Sequence, residues 1–338
     1  MNYRDIIKEQ MKLLPNSRIW WPKYFYHFTD IRNALEIIDK GWIYARHKAT
    51  ESKLMHSDNA SPSVILVSSS KIKDYARLYF RPKTPTQYHN EGYKPEEIRQ
   101  SDINANCPVP VFFFLDAEKV LLMDGVKFSE KTCAGYSDLD LKDGEDSYSK
   151  LPFDKIYHEG WFSPENRDDI IKHRQAEVVR QDGICITDCL KGIVCRSVAE
   201  KQTLLYLLKK QFPEKYQVYK NKIIYDPKLD LFYNNGVFIR YVTYSEDGLL
   251  IVLNDKAKRR SYSEKNALVN CVVTIFYCVE DNKILDREIV NIELNYLNQE
   301  EIQIELKNKV SDYAIVKVEF DGIIMYNNLV DLSIDSII

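Results

Sequence analysis

The chain has 338 residues, 45% of them apolar and 29% charged, with 47 lysines and arginines against 50 aspartates and glutamates. That length exceeds the usual single domain and the composition excludes a disordered or low-complexity chain, so two globular domains, each with its own core, are expected. The residues from Met1 to Gln10 lack the apolar centre of a secretion signal, and no apolar run reaches membrane-spanning length; both point to a cytoplasmic protein with no membrane partner.

Taken in chain order, Tyr24-Phe25-Tyr26-His27-Phe28-Thr29 alternates as a strand. Asp30 then stands as the N-cap of a helix carrying Ile31, Ala34, Leu35, Ile37 and Ile38 at helical spacing, and Gly41 stops it. A basic stretch follows, Ala45-Arg46-His47-Lys48-Ala49. Tyr75-Ala76-Arg77-Leu78-Tyr79 reads as an aromatic strand entering the turn Arg81-Pro82-Lys83-Thr84-Pro85, whose two prolines fix the backbone. Residues 109–115 read as a buried strand. Gly160-Trp161-Phe162-Ser163-Pro164 reads as a loop, and His173-Arg174-Gln175-Ala176-Glu177 leads into a strand at Val178-Val179. Residues 198–212 read as a helix closed by Pro213.

The pattern changes after Asp226-Pro227. Residues 236–244, 249–254, 268–279, 284–294, 302–306 and 313–320 are rich in Val, Ile, Tyr and Phe, with turn residues between them. Six or seven short strands predict a β-sandwich over residues 229–338, following an α+β domain over 1–228. Tyr313 either forms a tyrosine corner, as in immunoglobulin-like domains, or is an ordinary surface tyrosine at the start of a strand. Residues 229–338 hold 11 basic and 18 acidic residues, a net of −7, leaving +4 for residues 1–228; the first part tolerates a polyanion better than the second.

The seven cysteines include Cys185, Cys189 and Cys195, at spacings that fit neither a CxxC redox motif nor a paired zinc site, so buried thiols are expected. His27, His47, His56, His89, His158 and His173 form no HxxxH pair, and no metal is expected. Nor is there a GxGxxG, GxxxxGK[ST] or GxSxG motif; with only 11 glycines, a glycine-cradled phosphate site is disfavoured.

Three segments in this order, Tyr26-His27-Phe28-Thr29, Tyr79-Phe80-Arg81-Pro82-Lys83-Thr84-Pro85 and His173-Arg174-Gln175-Ala176-Glu177, resemble the DarT family of bacterial toxins that use NAD+ to ADP-ribosylate nucleic-acid bases. The resemblance covers residues 20–228 and implies an ADP-ribosyltransferase-like domain holding NAD+ in a cleft by its side chains. It implies that Glu177 is the catalytic glutamate, aligning the nicotinamide ribose and acting as base toward the acceptor. It further implies that His27 hydrogen-bonds NAD+ with support from Thr29 and Asn33. Tyr75 and Tyr79 are then candidates to stack on nicotinamide, and Arg81 or Lys83 to neutralise the pyrophosphate. The plainer reading of these residues is an edge strand running into a solvated basic turn.

Trp161 and Phe162 sit in the loop that selects the acceptor in this fold; they either stack on an unpaired base or anchor the loop to the core. Two departures stand out. The thymidine-modifying branch usually has an Arg and then a Met where this chain has Lys83 and Thr86. Many relatives also carry a catalytic arginine between the first two segments, where this chain offers only Arg46 as a surrogate. The resemblance thus implies transfer of ADP-ribose to single-stranded DNA, or alternatively to RNA. It also implies a toxin role, in anti-phage defence or with an antitoxin partner, either a macrodomain hydrolase or a protein that blocks the cleft. A protein-modifying transferase or NAD+ glycohydrolase is the competing class.

Overall fold

A computed structural model of the chain describes residues 1–56, 70–99, 106–133, 140–259, 267–279, 283–307 and 309–333. The strands of the first part are β1 (Tyr24–Asp30), β2 (Trp42–Tyr44), β3 (Tyr75–Tyr79), β4 (Pro110–Asp116), β5 (Val126–Ser129), β6 (Glu177–Gln181), β7 (Gly183–Cys185), β8 (Leu190–Cys195) and β9 (Ile223–Ile224). Seven of them form a mixed sheet in the order β5-β6-β3-β1-β4-β8-β9, and β2 pairs with β7 alongside. β4 is buried at almost every position, which is why its sequence is a continuous apolar run without alternation.

The helix Ile31–Lys40 begins and ends as its sequence dictates. The Asp30 carboxylate accepts from the Arg32 N–H at 3.1 Å, and Gly41 closes it at φ +71°. Its buried residues are Ile31, Ala34, Leu35, Ile37 and Ile38, the apolar stripe read from the sequence. The helix Val198–Gln211 is capped by Ser197, whose hydroxyl accepts from the Glu200 N–H at 3.1 Å. A second helix, Pro213–Tyr219, starts at the proline that ends the first, since Pro lacks an N–H but suits a first helical position.

The second part holds β10 (Ile239–Ser245), β11 (Gly248–Leu253), β12 (Leu268–Val279), β13 (Lys283–Asn295), β14 (Glu301–Ile304), β15 (Tyr313–Phe320) and β16 (Ile323–Asp331). These strands make a three-stranded sheet, β10-β11-β14, and a four-stranded sheet, β13-β12-β15-β16. Residues 236–238, expected to open β10, instead cross to the first part, where the Val237 N–H donates to the Tyr93 carbonyl at 2.9 Å. β16 escaped the sequence reading although Asp321-Gly322, both at positive φ, is a strong hairpin-turn signal. Tyr313 is 44% exposed, as an ordinary strand-opening tyrosine would be.

Both parts share one continuous buried cluster, from Phe25, Phe113 and Val178 to Ile251, Val273 and Phe320. The helix Val198–Gln211 lies between them: the Asn327 N–H donates to the Thr203 hydroxyl at 3.1 Å, and the Ser197 hydroxyl donates to the Ile239 carbonyl at 2.7 Å. Cys189 and Cys195 are buried thiols, whereas Cys185 is half-buried. Among the described residues, no helix is long and apolar enough to cross a membrane.

Candidate active site

Strand register assembles the site. Tyr26 lies opposite Tyr79, and Tyr79 opposite Glu177, so the three share one face of the sheet across β1, β3 and β6. Ser129 of β5 lies opposite Glu177 on its other side. Alternation along β3 puts Tyr75, Arg77 and Tyr79 on this face and sends Ala76 and Leu78 into the core.

The Glu177 side chain is 1% exposed, and the Arg77 guanidinium grips both its oxygens. Arg77 Nε donates to Oε2 at 2.7 Å, and Nη2 donates to Oε1. This fork matches a carboxylate bidentately, the arrangement that lets a carboxylate keep its charge out of water. Burial alone would favour a neutral guanidine, but the charge and hydrogen bonds of Glu177 outweigh it and hold Arg77 above the ordinary arginine value. The Cys133 thiol, also buried, is pushed up to about 12, first by burial and then by the negative charge of Glu177.

Pairing between β1 and β3 consists of the single register Tyr26–Tyr79. Next to it the His27 imidazole takes the place of the ladder, with Nδ1 3.2 Å from the Arg77 carbonyl oxygen. Burial lowers the His27 pKa to about 4, so the ring is neutral near pH 7. A carbonyl can only accept; Nδ1 therefore carries the proton and Nε2 is left as an acceptor. The pieces on either side of this gap are an imidazole acceptor on β1 and a guanidinium–carboxylate pair on β3 and β6.

Thr29 and Asn33 meet each other, the Asn33 amide donating to the Thr29 hydroxyl at 3.2 Å while its oxygen accepts from the His56 N–H at 2.8 Å. Burial raises the pKa of Tyr79. Tyr75 is half-buried against Ile72, Cys133 and Val179.

Two cations expected at a pyrophosphate have protein partners in this structure. Arg81 is 1% exposed; it donates to the carbonyls of Pro82 at 3.0 Å, Ile156 at 3.4 Å and His158, pairs with Glu159, and lies over the Trp21 ring at 4.9 Å. Burial, then the nearby charge of Arg174, lowers its pKa to about 9. Lys83 Nζ is paired with Asp230 at 2.6 Å. Arg46 opens the short helix Arg46–Glu51, and the arginine brought to Glu177 is Arg77. Sequence reasoning passed over Arg77 because it sits inside a strand; the Tyr75-x-Arg77-x-Tyr79 alternation is the signal that would have found it.

The loop ahead of Glu177 is pinned from below. Arg174 donates to the His158 carbonyl at 2.9 Å and to the Gly160 carbonyl at 3.4 Å, beside the Arg81 bond to the same His158 oxygen. Phe162 packs under Arg174, whose guanidinium carbon lies 5.2 Å from the ring centre, while Trp161 is 83% exposed. Of the two aromatics, one anchors the loop and the other projects from it.

The family model described as ssDNA thymidine ADP-ribosyltransferase, DarT, matches residues 26–227. Among solved structures, the chain is similar to DarT of Thermus sp. 2.9 in complex with ADP-ribosylated ssDNA, at 17% identity and a TM-score of 0.48 over 62% of this chain and 96% of that one. It is likewise similar to the same protein in complex with NAD+, at 17% identity and a TM-score of 0.46 over 62% of this chain and 98% of that one. The carba-NAD+ complex gives 18% identity and a TM-score of 0.45 over 65% and 100%. No curated protein matches the chain.

Proposed function

The chain belongs to the DarT family of ssDNA thymidine ADP-ribosyltransferases, enzymes that depend on NAD+, and from that premise we propose that it transfers ADP-ribose from NAD+ to a base in single-stranded DNA, with Glu177 as the catalytic carboxylate. The observation that carries this reading is the Glu177–Arg77 pair, a buried carboxylate held by a partly exposed guanidinium, on a sheet face shared with Tyr79 and with His27 against the Arg77 carbonyl. The bond between nicotinamide and ribose breaks with its electron pair leaving on nicotinamide, and positive charge develops on the ribose. A carboxylate on that face stabilises the charge, and Arg77 keeps the carboxylate oriented. A ring nitrogen of the base then forms the new bond to the ribose carbon while its proton passes to Glu177. His27 Nε2 is suited to accept from a ribose hydroxyl or an amide N–H of NAD+, and Tyr75 and Tyr79 to stack on nicotinamide.

Trp161 fits the acceptor side, since an exposed aromatic on a pinned loop stacks on an unpaired base at little ordering cost. The family description favours thymidine; Lys83 and Thr86, which depart from the thymidine branch, leave the base as the point for experiment. We extend the proposal to a cytoplasmic toxin whose partner is an antitoxin, a macrodomain hydrolase or a protein covering the cleft. The two C-terminal sheets, whose Leu249, Ile251, Val273 and Ile275 share one buried cluster, are read as facing halves of an immunoglobulin-like sandwich.

Purified protein and a Glu177→Ala control are incubated with labelled NAD+ and, separately, single-stranded DNA, duplex DNA, RNA or protein extract. Label on a DNA base, absent with the variant, is the expected result. Label on RNA or protein would transfer the reading to those acceptors, and free ADP-ribose alone would make the protein a glycohydrolase.

A further inference from the structure

Resting on that reading of residues 26–227, we propose that residues 229–235, outside the part matching the family, form a positioning brace for the active site. They fix the helix Pro85–Asn90, through its Thr86 they fix Gln175, and through Leu231 and Phe232 they back Tyr79. The anchor is Glu91, which is fully buried. Its carboxylate accepts from the consecutive N–H groups of Tyr233 at 3.0 Å, Asn234 at 2.6 Å and Asn235 at 3.3 Å, and from the Gln87 amide at 2.7 Å. Asn234 at φ +61° turns these N–H groups toward one point, a backbone nest around an anion.

The helix is gripped at its start as well. The Tyr233 hydroxyl donates to the Lys83 carbonyl at 2.7 Å, the Lys83 N–H donates to the Gln87 side-chain oxygen at 2.7 Å, and the Gln87 amide donates to the Leu231 carbonyl at 2.8 Å. Leu231 and Phe232 are buried among Tyr26, Phe112 and Phe114, in the same apolar cluster against which Tyr79 packs. Thr86, on the helix so held, donates to the Gln175 side-chain oxygen at 3.1 Å. Tyr79 lies directly across from Glu177, and Gln175 precedes it by two residues. One neighbour of the carboxylate, Gln175, thus hangs on a hydrogen-bonded path, and the other, Tyr79, on an apolar cluster, and both start beyond the family-matching part.

The test uses the full chain. Tyr233→Phe removes the donor to the Lys83 carbonyl, and Thr86→Val removes the donor to the Gln175 side chain. Each is expected to raise the KM for NAD+ about tenfold with kcat within about twofold, the pattern of lost substrate positioning, and the double variant to be no worse than either single one. Fewer active molecules, seen as a lower maximal rate at unchanged KM, would overturn the proposal. Equilibrium binding of NAD+ without DNA separates it from its premise. Equal binding by wild type and Tyr233→Phe sinks the brace alone, whereas wild-type protein that neither binds NAD+ nor transfers it sinks the premise and the brace together.

Discussion

Glu177 holds a charge where water does not reach, and Arg77 is what makes that tolerable. Removing one partner of a buried pair leaves the other uncompensated, so Arg77→Met is expected to cost roughly 3–5 kcal/mol of stability in chemical denaturation. Arg77→Met combined with Glu177→Gln should recover much of that loss, because no buried charge is then left alone. Glu177→Gln by itself keeps the shape and removes the charge; we expect kcat to fall by at least about 100-fold in the transfer assay while NAD+ still binds. His27 supplies a pH test. Its pKa is lowered to about 4 from an ordinary value of 6.5, so between these values the unfolded chain binds the proton more tightly and stability falls as pH drops through that window. Above it His27 stays neutral, and denaturation of His27→Gln should show a flatter dependence than wild type between pH 6.5 and 4.

At the scale of elements, the aromatic content of β1 and the turn that follows β3 were legible because strand alternation and proline chemistry are local. The fate of Arg81 and Lys83 was not. Both lie in a basic turn that looks solvated, yet one is buried beneath the loop at 156–159 and the other is tied to Asp230, partners far away in the chain. The loop before Glu177 presents Trp161 as a projecting ring, and Trp161→Ala is expected to weaken single-stranded DNA binding by about 1–3 kcal/mol in a fluorescence titration. Gly92 marks a close crossing of two elements: at φ +82°, a Cβ would lie 1.8 Å from the Asn235 carbonyl oxygen. Gly92→Ala should therefore lower the melting temperature, the backbone strain alone costing roughly 1–3 kcal/mol.

For the whole molecule, the composition break near residue 228 suggested two domains with separate cores, but burial runs on without interruption. Arg196 and Glu200, both buried, pair with each other, while Arg196 also donates to the Asn235 carbonyl at 3.3 Å and rings the nest around Glu91. A chain ended at residue 228 would expose Phe112 and strip Glu91 of three backbone donors. It is expected to be insoluble or to lack a cooperative thermal transition by circular dichroism, which the full chain should show. What the sequence determined by itself was whatever acts over a few residues: the Asp30 cap and Gly41 stop, the alternating strands, and the three motif segments that mark the family. The tertiary structure alone decided that Arg77 is the partner of Glu177, that Arg81 pairs with Glu159 and Lys83 with Asp230, and that the segment after residue 228 lies against the seven-stranded sheet. Those outcomes depend on which distant groups satisfy a buried charge or carbonyl, and spacing along the chain carries no record of that.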